Sequence, residues 1–483
     1  MDDVLLIAIP ALYVAGAAAT ALGPFWVPLL ARIDRQERSP DLAVVTSWAA
    51  IAVAGLATLL AARCWASPTV VLFGPETTAR WGLYVDGFAG PMLFAFASSV
   101  LVAALAAVLL PQGPPVSLAA LYLFGASGTV LILAQNARML AFALETLVIA
   151  ASAVAAATAP VEDRRRVATR VFLGLQLGLG MAAAAAYRLA RLDALGRKGI
   201  NVMPITLEDL RPCVAFASPA LLGSVLALLS FGALVGMLAP WALHRRRPVI
   251  GDLAAPGQVA LASGLLIALG CAVLRVGFHT LPFDYWEHRS SLLPFLSASV
   301  ALGGAVWALC PGEASARLLR VPVADVGVLG LMLSIGRKPM AGQCAVLILA
   351  LAAGRLALIV ASRQPNSGSR PARPATLFAA GSVTAAYGYA IVSVAHDGWA
   401  LGTALLMVAA ILVVAGTLAV ALRRSVVGTG GDVRQTALAA GAFALVALIL
   451  VVAVLGDGAG AITELFRLDR TFIGPLGPGG AGS

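Results

Sequence analysis

The sequence predicts an all-α fold, a polytopic membrane bundle of about fourteen transmembrane helices. Three observations carry this expectation. The chain is 60% hydrophobic and only 12% charged, whereas an ordinary soluble domain is about 25% charged. Its mean hydropathy is +0.93. Apolar runs of the length needed to cross a hydrocarbon core, about 20 residues, recur along the chain and are separated by short segments rich in Pro, Gly and Arg.

Taken in order, the predicted spans are 3–22, 44–65, 89–110, 117–135, 139–159, 169–190, 216–240, 257–277, 292–310, 322–336, 339–361, 374–395, 400–422 and 436–456. Pro111, Pro160, Pro240, Pro311, Pro339 and Pro374 mark boundaries, because proline interrupts the helical hydrogen-bond ladder. The division is then one membrane domain over 1–461 and a Gly- and Pro-rich tail over 462–483. The first apolar run follows Asp2 and Asp3 rather than a basic stretch, unlike a cleavable signal peptide.

The net charge is +10, and Lys198 and Lys338 are the only lysines. A basic chain can point to nucleic acid, but here the arginines sit in short loops between apolar runs, as membrane topology requires. With both termini outside, 18 of the 33 basic residues fall in cytoplasmic loops. The expected setting is the bacterial cytoplasmic membrane, with lipid and no nucleic acid as partner. The five cysteines are scattered, with no CxxC, so neither a disulfide framework nor a zinc site is expected. A P-loop, a GxGxxG and an HExxH are all absent, and the four histidines lie at helix ends or in loops. No cofactor or metal is expected.

The most informative stretch is 134–160, which reads AQNARMLAFALETLVIAASAVAAATAP. A polar turn, Gln135-Asn136-Ala137-Arg138, opens a long apolar run with Glu145 inside it. A carboxylate at that depth costs about 3 kcal/mol on insertion scales and is a functional hypothesis by default. The alternative is a packing glutamate hydrogen-bonded to a neighbour. Other intramembrane polar groups are few: Asp325 near the start of the tenth span, Arg355 deep in the eleventh, Arg275 near the end of the eighth and Gln176 in the sixth, with Gln343, Thr384, Tyr387 and Tyr389 as further company. A proton path needs titratable groups joined by polar side chains and water, and Glu145, Asp325, Arg355 and Gln176 are the candidates. Two readings stand for Arg355, pairing with a carboxylate or snorkelling to the cytoplasmic edge. Two also stand for Asp325, a proton-path group or a helix-start acid three residues after Pro322. The segment 276–289, VGFHTLPFDYWEHR, reads either as an aromatic belt at the outer face or as a contact surface for a neighbouring subunit.

Several motifs together resemble a known family. Val85-Asp86-Gly87-Phe88 opens the third span; the Asn-containing turn leads to Glu145; 170–180 reads RVFLGLQLGLG; 237–243 reads MLAPWAL; and Arg317-Leu318-Leu319 precedes the tenth span. In order and spacing these resemble the antiporter-like membrane subunits of respiratory complex I, especially the N-type subunit, with relatives in Mrp antiporters and membrane-bound hydrogenases. The resemblance spans most of the chain. It implies an antiporter-like fold, other membrane subunits of a complex I-like assembly as partners, and proton translocation coupled to electron transport, as a non-redox subunit of an NADH:quinone oxidoreductase. It places Glu145 on the family's proton path, while Asp86, Arg275 and Arg317 are candidates for structural or subunit contacts. The family's lysine in the seventh span falls near Val235 here, its basic residue in the eighth near Leu266, and the twelfth span holds no Lys, Glu or Asp. A subunit that conducts protons by a reduced path and one that serves as scaffold are therefore both open, as is a stand-alone cation/proton transporter.

Overall fold

In the computed structural model, the described residues are 2–33, 39–65, 69–73, 81–85, 89–109, 118–199, 207, 218–241, 243–244, 247–276, 292–310, 314–335, 340–363, 372–396 and 400–426. They form thirteen long helices: α1 (Asp2–Ile33), α2 (Ser39–Trp65), α3 (Ala89–Leu109), α4 (Leu118–Leu133), α5 (Ala137–Thr158), α6 (Arg164–Gly199), α7 (Pro219–Leu238), α8 (Ala255–Leu274), α9 (Leu292–Leu309), α10 (Val321–Ile335), α11 (Met340–Arg363), α12 (Ala372–His396) and α13 (Ala400–Val426). The predicted span at 436–456 and the tail lie outside the described residues.

Each of the first thirteen spans has its helix, with shifts at the ends. The first helix runs eleven residues past the predicted end, and the sixth extends at both ends. The division between the fourth and fifth spans is real and has a physical cause. The backbone N–H of Gln135 donates to the Gly82 carbonyl at 3.1 Å, so the chain leaves the helical ladder there. Asn136 then caps α5, its side-chain oxygen accepting from the Met139 N–H at 2.8 Å. Ser218 caps α7 in the same way, with Pro219 at the first helical position.

Two short β-hairpins were not expected. One pairs β1 (Thr69–Phe73) with β2 (Trp81–Val85), and the other pairs β3 (Leu243–His244) with β4 (Arg247–Pro248). The first closes one end of the bundle near the α4–α5 break, where Leu83 bridges to Ala134.

Burial sorts the helices radially. Every residue of α8 is buried, as is 89% of the central stretch of α11, but only 33% of that of α6. Helices α8 and α11 therefore lie on the axis, with α10 buried beside them and α6 at the rim. The axial helix α8 is irregular: Ala260–Gly264 is a π-turn between two α segments. A π-turn widens the helix and re-aims its carbonyls, and such turns concentrate at functional sites. By contrast α12 is a continuous helix of 25 residues.

Candidate functional site

Four of the predicted intramembrane groups meet in pairs. The deeper pair lies where α10, α11 and α12 converge on α8. Arg355 Nε donates to Asp325 Oδ2 at 3.2 Å, and each side chain is 1% exposed. Tyr387 Oη donates to the other carboxylate oxygen, Oδ1, at 3.2 Å. The guanidinium uses its remaining nitrogens on main-chain carbonyls. Nη1 reaches Ala262 in the π-turn at 2.9 Å, and Nη2 reaches Pro322 at the start of α10 at 3.1 Å. One face of the guanidinium lies over the Trp241 ring, with Cζ 4.9 Å from the ring centroid. A buried ion pair is tolerable only when its other lone pairs and protons are also satisfied, and this one meets that condition on both sides. Arg355 therefore does not snorkel, and Asp325 turns its carboxylate inward to Arg355 and Tyr387.

This cluster sits on a longer polar seam. Ser263 Oγ donates to the Ala352 carbonyl at 3.0 Å, and Arg363 Nε donates to Gln258 Oε1 at 2.9 Å. Gln258 in turn donates to the Ile250 carbonyl at 2.8 Å, and Arg363 also reaches the Leu253 carbonyl. Residue numbers rise on α8 as they fall on α11, so the two axial helices run antiparallel and are tied at several heights.

The second pair is Glu145 and Gln176. Gln176 Nε2 on α6 donates to Glu145 Oε2 on α5 at 3.2 Å, and both side chains are half-buried. Around them the outer surface is apolar: Phe142, Ile149, Leu173 and Leu177 are 54–65% exposed. Glu145 is therefore reachable from the lateral face of the bundle, whereas Asp325 is sealed.

The remaining candidates hold the frame. Arg275, at the end of α8, donates through Nη1 to the carbonyls of Ile132 (2.5 Å) and Ala134 (3.0 Å) and through Nη2 to that of Tyr84 (3.0 Å). It satisfies the C-terminal carbonyls of α4 and pins the first hairpin to the axis. Arg317 and Arg320 do the same for α9, reaching the carbonyls of Ala308 and Cys310 at 3.4 and 3.0 Å. Asp86 lies outside the described residues. Gln343 is half-buried on α11, twelve residues from Arg355 and about 18 Å along the axis. The Thr384 hydroxyl bonds to the Ala380 carbonyl in its own helix. Trp241 was missed as a site residue. Its indole N–H donates to the Leu319 carbonyl at 2.8 Å, which sets the ring under Arg355. The sequence signal was the MLAPW stretch, where Pro240 ends the helix and turns the next side chain inward. Replacing Arg275 with Met is expected to cost about 1.5–3 kcal/mol, because charge-assisted bonds to buried carbonyls are lost. Faster amide exchange confined to 81–85 and 132–136 would check this.

No family model and no curated protein matches the sequence. Solved structures do. A chain of respiratory complex I from Thermus thermophilus superposes with a TM-score of 0.70 at 17% identity, over 97% of this chain and 100% of that one. A chain of the Mrp complex from Dietzia sp. gives 0.71 at 19% identity, over 96% of this chain and 52% of that one, so this chain spans about half its length. A chain of the membrane-bound sulfane sulfur reductase, an archaeal respiratory membrane complex, gives 0.70 at 16% identity, over 96% and 98%. Likeness at this identity establishes the architecture, and the chain has the all-α, polytopic, antiporter-like fold of membrane subunits in such complexes.

Proposed function

We propose that the chain is a membrane subunit of a multi-subunit respiratory assembly of the complex I type, closest in kind to the N-type subunit, and that it takes part in proton translocation through Glu145. It works beside other membrane subunits and holds no redox centre itself. The observation that carries this reading is the Glu145–Gln176 pair: an acid at the ninth residue of the 22-residue α5, bonded to a neutral amide at 3.2 Å and reachable at the rim. Asp325, by comparison, is buried with a donor on each oxygen. Glu145 instead has one described donor and an apolar, exposed surround, which a neighbouring membrane subunit would cover. The coverage of a complete chain in two respiratory assemblies supports the same reading.

Glu145→Gln in the assembled complex tests it. The side chain keeps its size and its contact with Gln176 but loses the ability to carry a proton. The expected result is a lower proton-to-electron stoichiometry, by the share of one subunit, with electron transfer and assembly retained. An unchanged stoichiometry would make the subunit a scaffold.

A further inference from the structure

The two acid pairs are laid out alike along the chain. Glu145 and Gln176 are 31 residues apart on the consecutive helices α5 and α6, and Asp325 and Arg355 are 30 apart on the consecutive helices α10 and α11. In each, the acid lies on the earlier helix and its nitrogen donor on the later one. What differs is the donor and the enclosure. Glu145 faces a neutral amide at a half-open rim. Asp325 faces a cation, has both oxygens occupied, and is 1% exposed.

We propose that Arg355 is an internal counter-ion that locks Asp325 out of proton exchange, so that two similarly placed acids divide the work: Glu145 exchanges protons and Asp325 holds the axis together. The geometry ties Asp325 to two neighbours at once. Each of its oxygens already accepts one hydrogen bond, and a proton added to either cancels the negative charge that faces Arg355 Nε. Neutralising Asp325 leaves the guanidinium buried between the Ala262 and Pro322 carbonyls without its counter-charge. The elements packed on the pair offer no substitute carboxylate among the described residues. The turn that follows α7 presents Trp241, α8 presents Ala262 and Ser263, and α12 presents Tyr387. At the other pair, the acid faces one described donor, a neutral amide. The inference shares Glu145 with the functional reading above, but its test measures protonation rather than transport, so the two fail separately.

The probe is dicyclohexylcarbodiimide, an apolar reagent that adds to protonated carboxyls and rearranges to a stable N-acylurea readable by peptide mass spectrometry. In the full chain in its membrane, Glu145 is expected to be labelled and Asp325 not. Arg355→Gln gives Asp325 the neutral partner that Glu145 has, and labelling of Asp325 should appear. Gln176→Arg gives Glu145 a cation, and its labelling should be lost. Infrared spectroscopy on Arg355→Gln supplies a reading that does not need the reagent to enter: a protonated-acid carbonyl band that titrates with pH and vanishes in Arg355→Gln/Asp325→Asn. Labelling of Asp325 in the unaltered chain overturns the proposal. So does persistent labelling of Glu145 in Gln176→Arg, which decides the matter even if Arg355→Gln does not accumulate. Absence of both the label and the band at Asp325 in Arg355→Gln overturns it as well.

Discussion

Arg355→Ala is expected to destabilise the chain by about 3–5 kcal/mol, the range measured when one partner of a buried ion pair is removed. The substitution takes away the donor to Asp325 Oδ2, the donors to the Ala262 and Pro322 carbonyls, and the cation over Trp241 in one step. It leaves a carboxylate 1% exposed with Tyr387 alone. Arg355→Lys keeps the charge but loses the planar fork, so it cannot serve three acceptors in three directions. Its loss should be smaller than that of alanine but well above zero. The decisive comparison is the double variant Asp325→Asn/Arg355→Met, which removes both charges and keeps most of the volume. Replacing a buried pair by matched neutral groups is often close to neutral, so the double variant should be more stable than Arg355→Ala. Denaturant unfolding in detergent micelles, followed by the fluorescence of the eight tryptophans, gives the numbers. A loss from Arg355→Ala below about 1 kcal/mol, the scale of an exposed pair, would show that the pair is solvated.

The sequence was legible where one residue's own neighbours settle the matter. Spans follow from apolar run length, and the α4–α5 break follows from Asn136, whose side chain can cap a helix and whose place after Gln135 interrupts the apolar run. Glu145 stood out because it is the one charged residue between Met139 and Pro160. What could not be read depends on partners far along the chain. The fate of Arg355 turned on whether α11 lies at the rim or the axis. That is set by its antiparallel docking against α8, through Gln258, Ala262 and Ser263 some 90 to 105 residues away. The π-turn at Ala260–Gly264 has no side-chain signature, because Ala, Leu, Ala, Ser and Gly in that order also occur in ordinary membrane α-helices. The strand Thr69–Phe73 is a five-residue run in a connecting segment, too short to separate from loop. Arg320 looked like one more loop charge, yet it is 7% exposed and stacks on Trp307 while bonding to the end of α9.

The close helix crossings yield the second large effect. On α10, two residues after Asp325, Gly327 lies so near α9 that a Cβ there would stand 2.1 Å from the Ala301 backbone nitrogen and 2.7 Å from the Ser297 carbonyl. Both atoms are main chain, so no side-chain rotation relieves the clash, and α9 and α10 must separate. Gly178 on α6 is in the same position, with Gly236 N at 2.3 Å and the Gly232 carbonyl at 2.6 Å. Small residues at such crossings are what lets helices pack in a membrane, where no hydrophobic force drives association. Gly327→Ala is therefore expected to lose about 1–3 kcal/mol, the usual cost of over-packing, and Gly327→Leu to prevent docking of α9 on α10. The damage should also reach the ion pair, because any shift of α10 moves Asp325 relative to Arg355. Gly303 on α9 and Gly381 on α12 are the internal controls, since a Cβ at either meets nothing within 4 Å. There alanine should stabilise by up to about 1 kcal/mol through helix propensity. Thermal midpoints of the four alanine variants in one detergent compare the two classes directly. If Gly327→Ala and Gly178→Ala melt with Gly303→Ala and Gly381→Ala, the crossings are looser than the structure shows, and the enclosure of Asp325 loses its support.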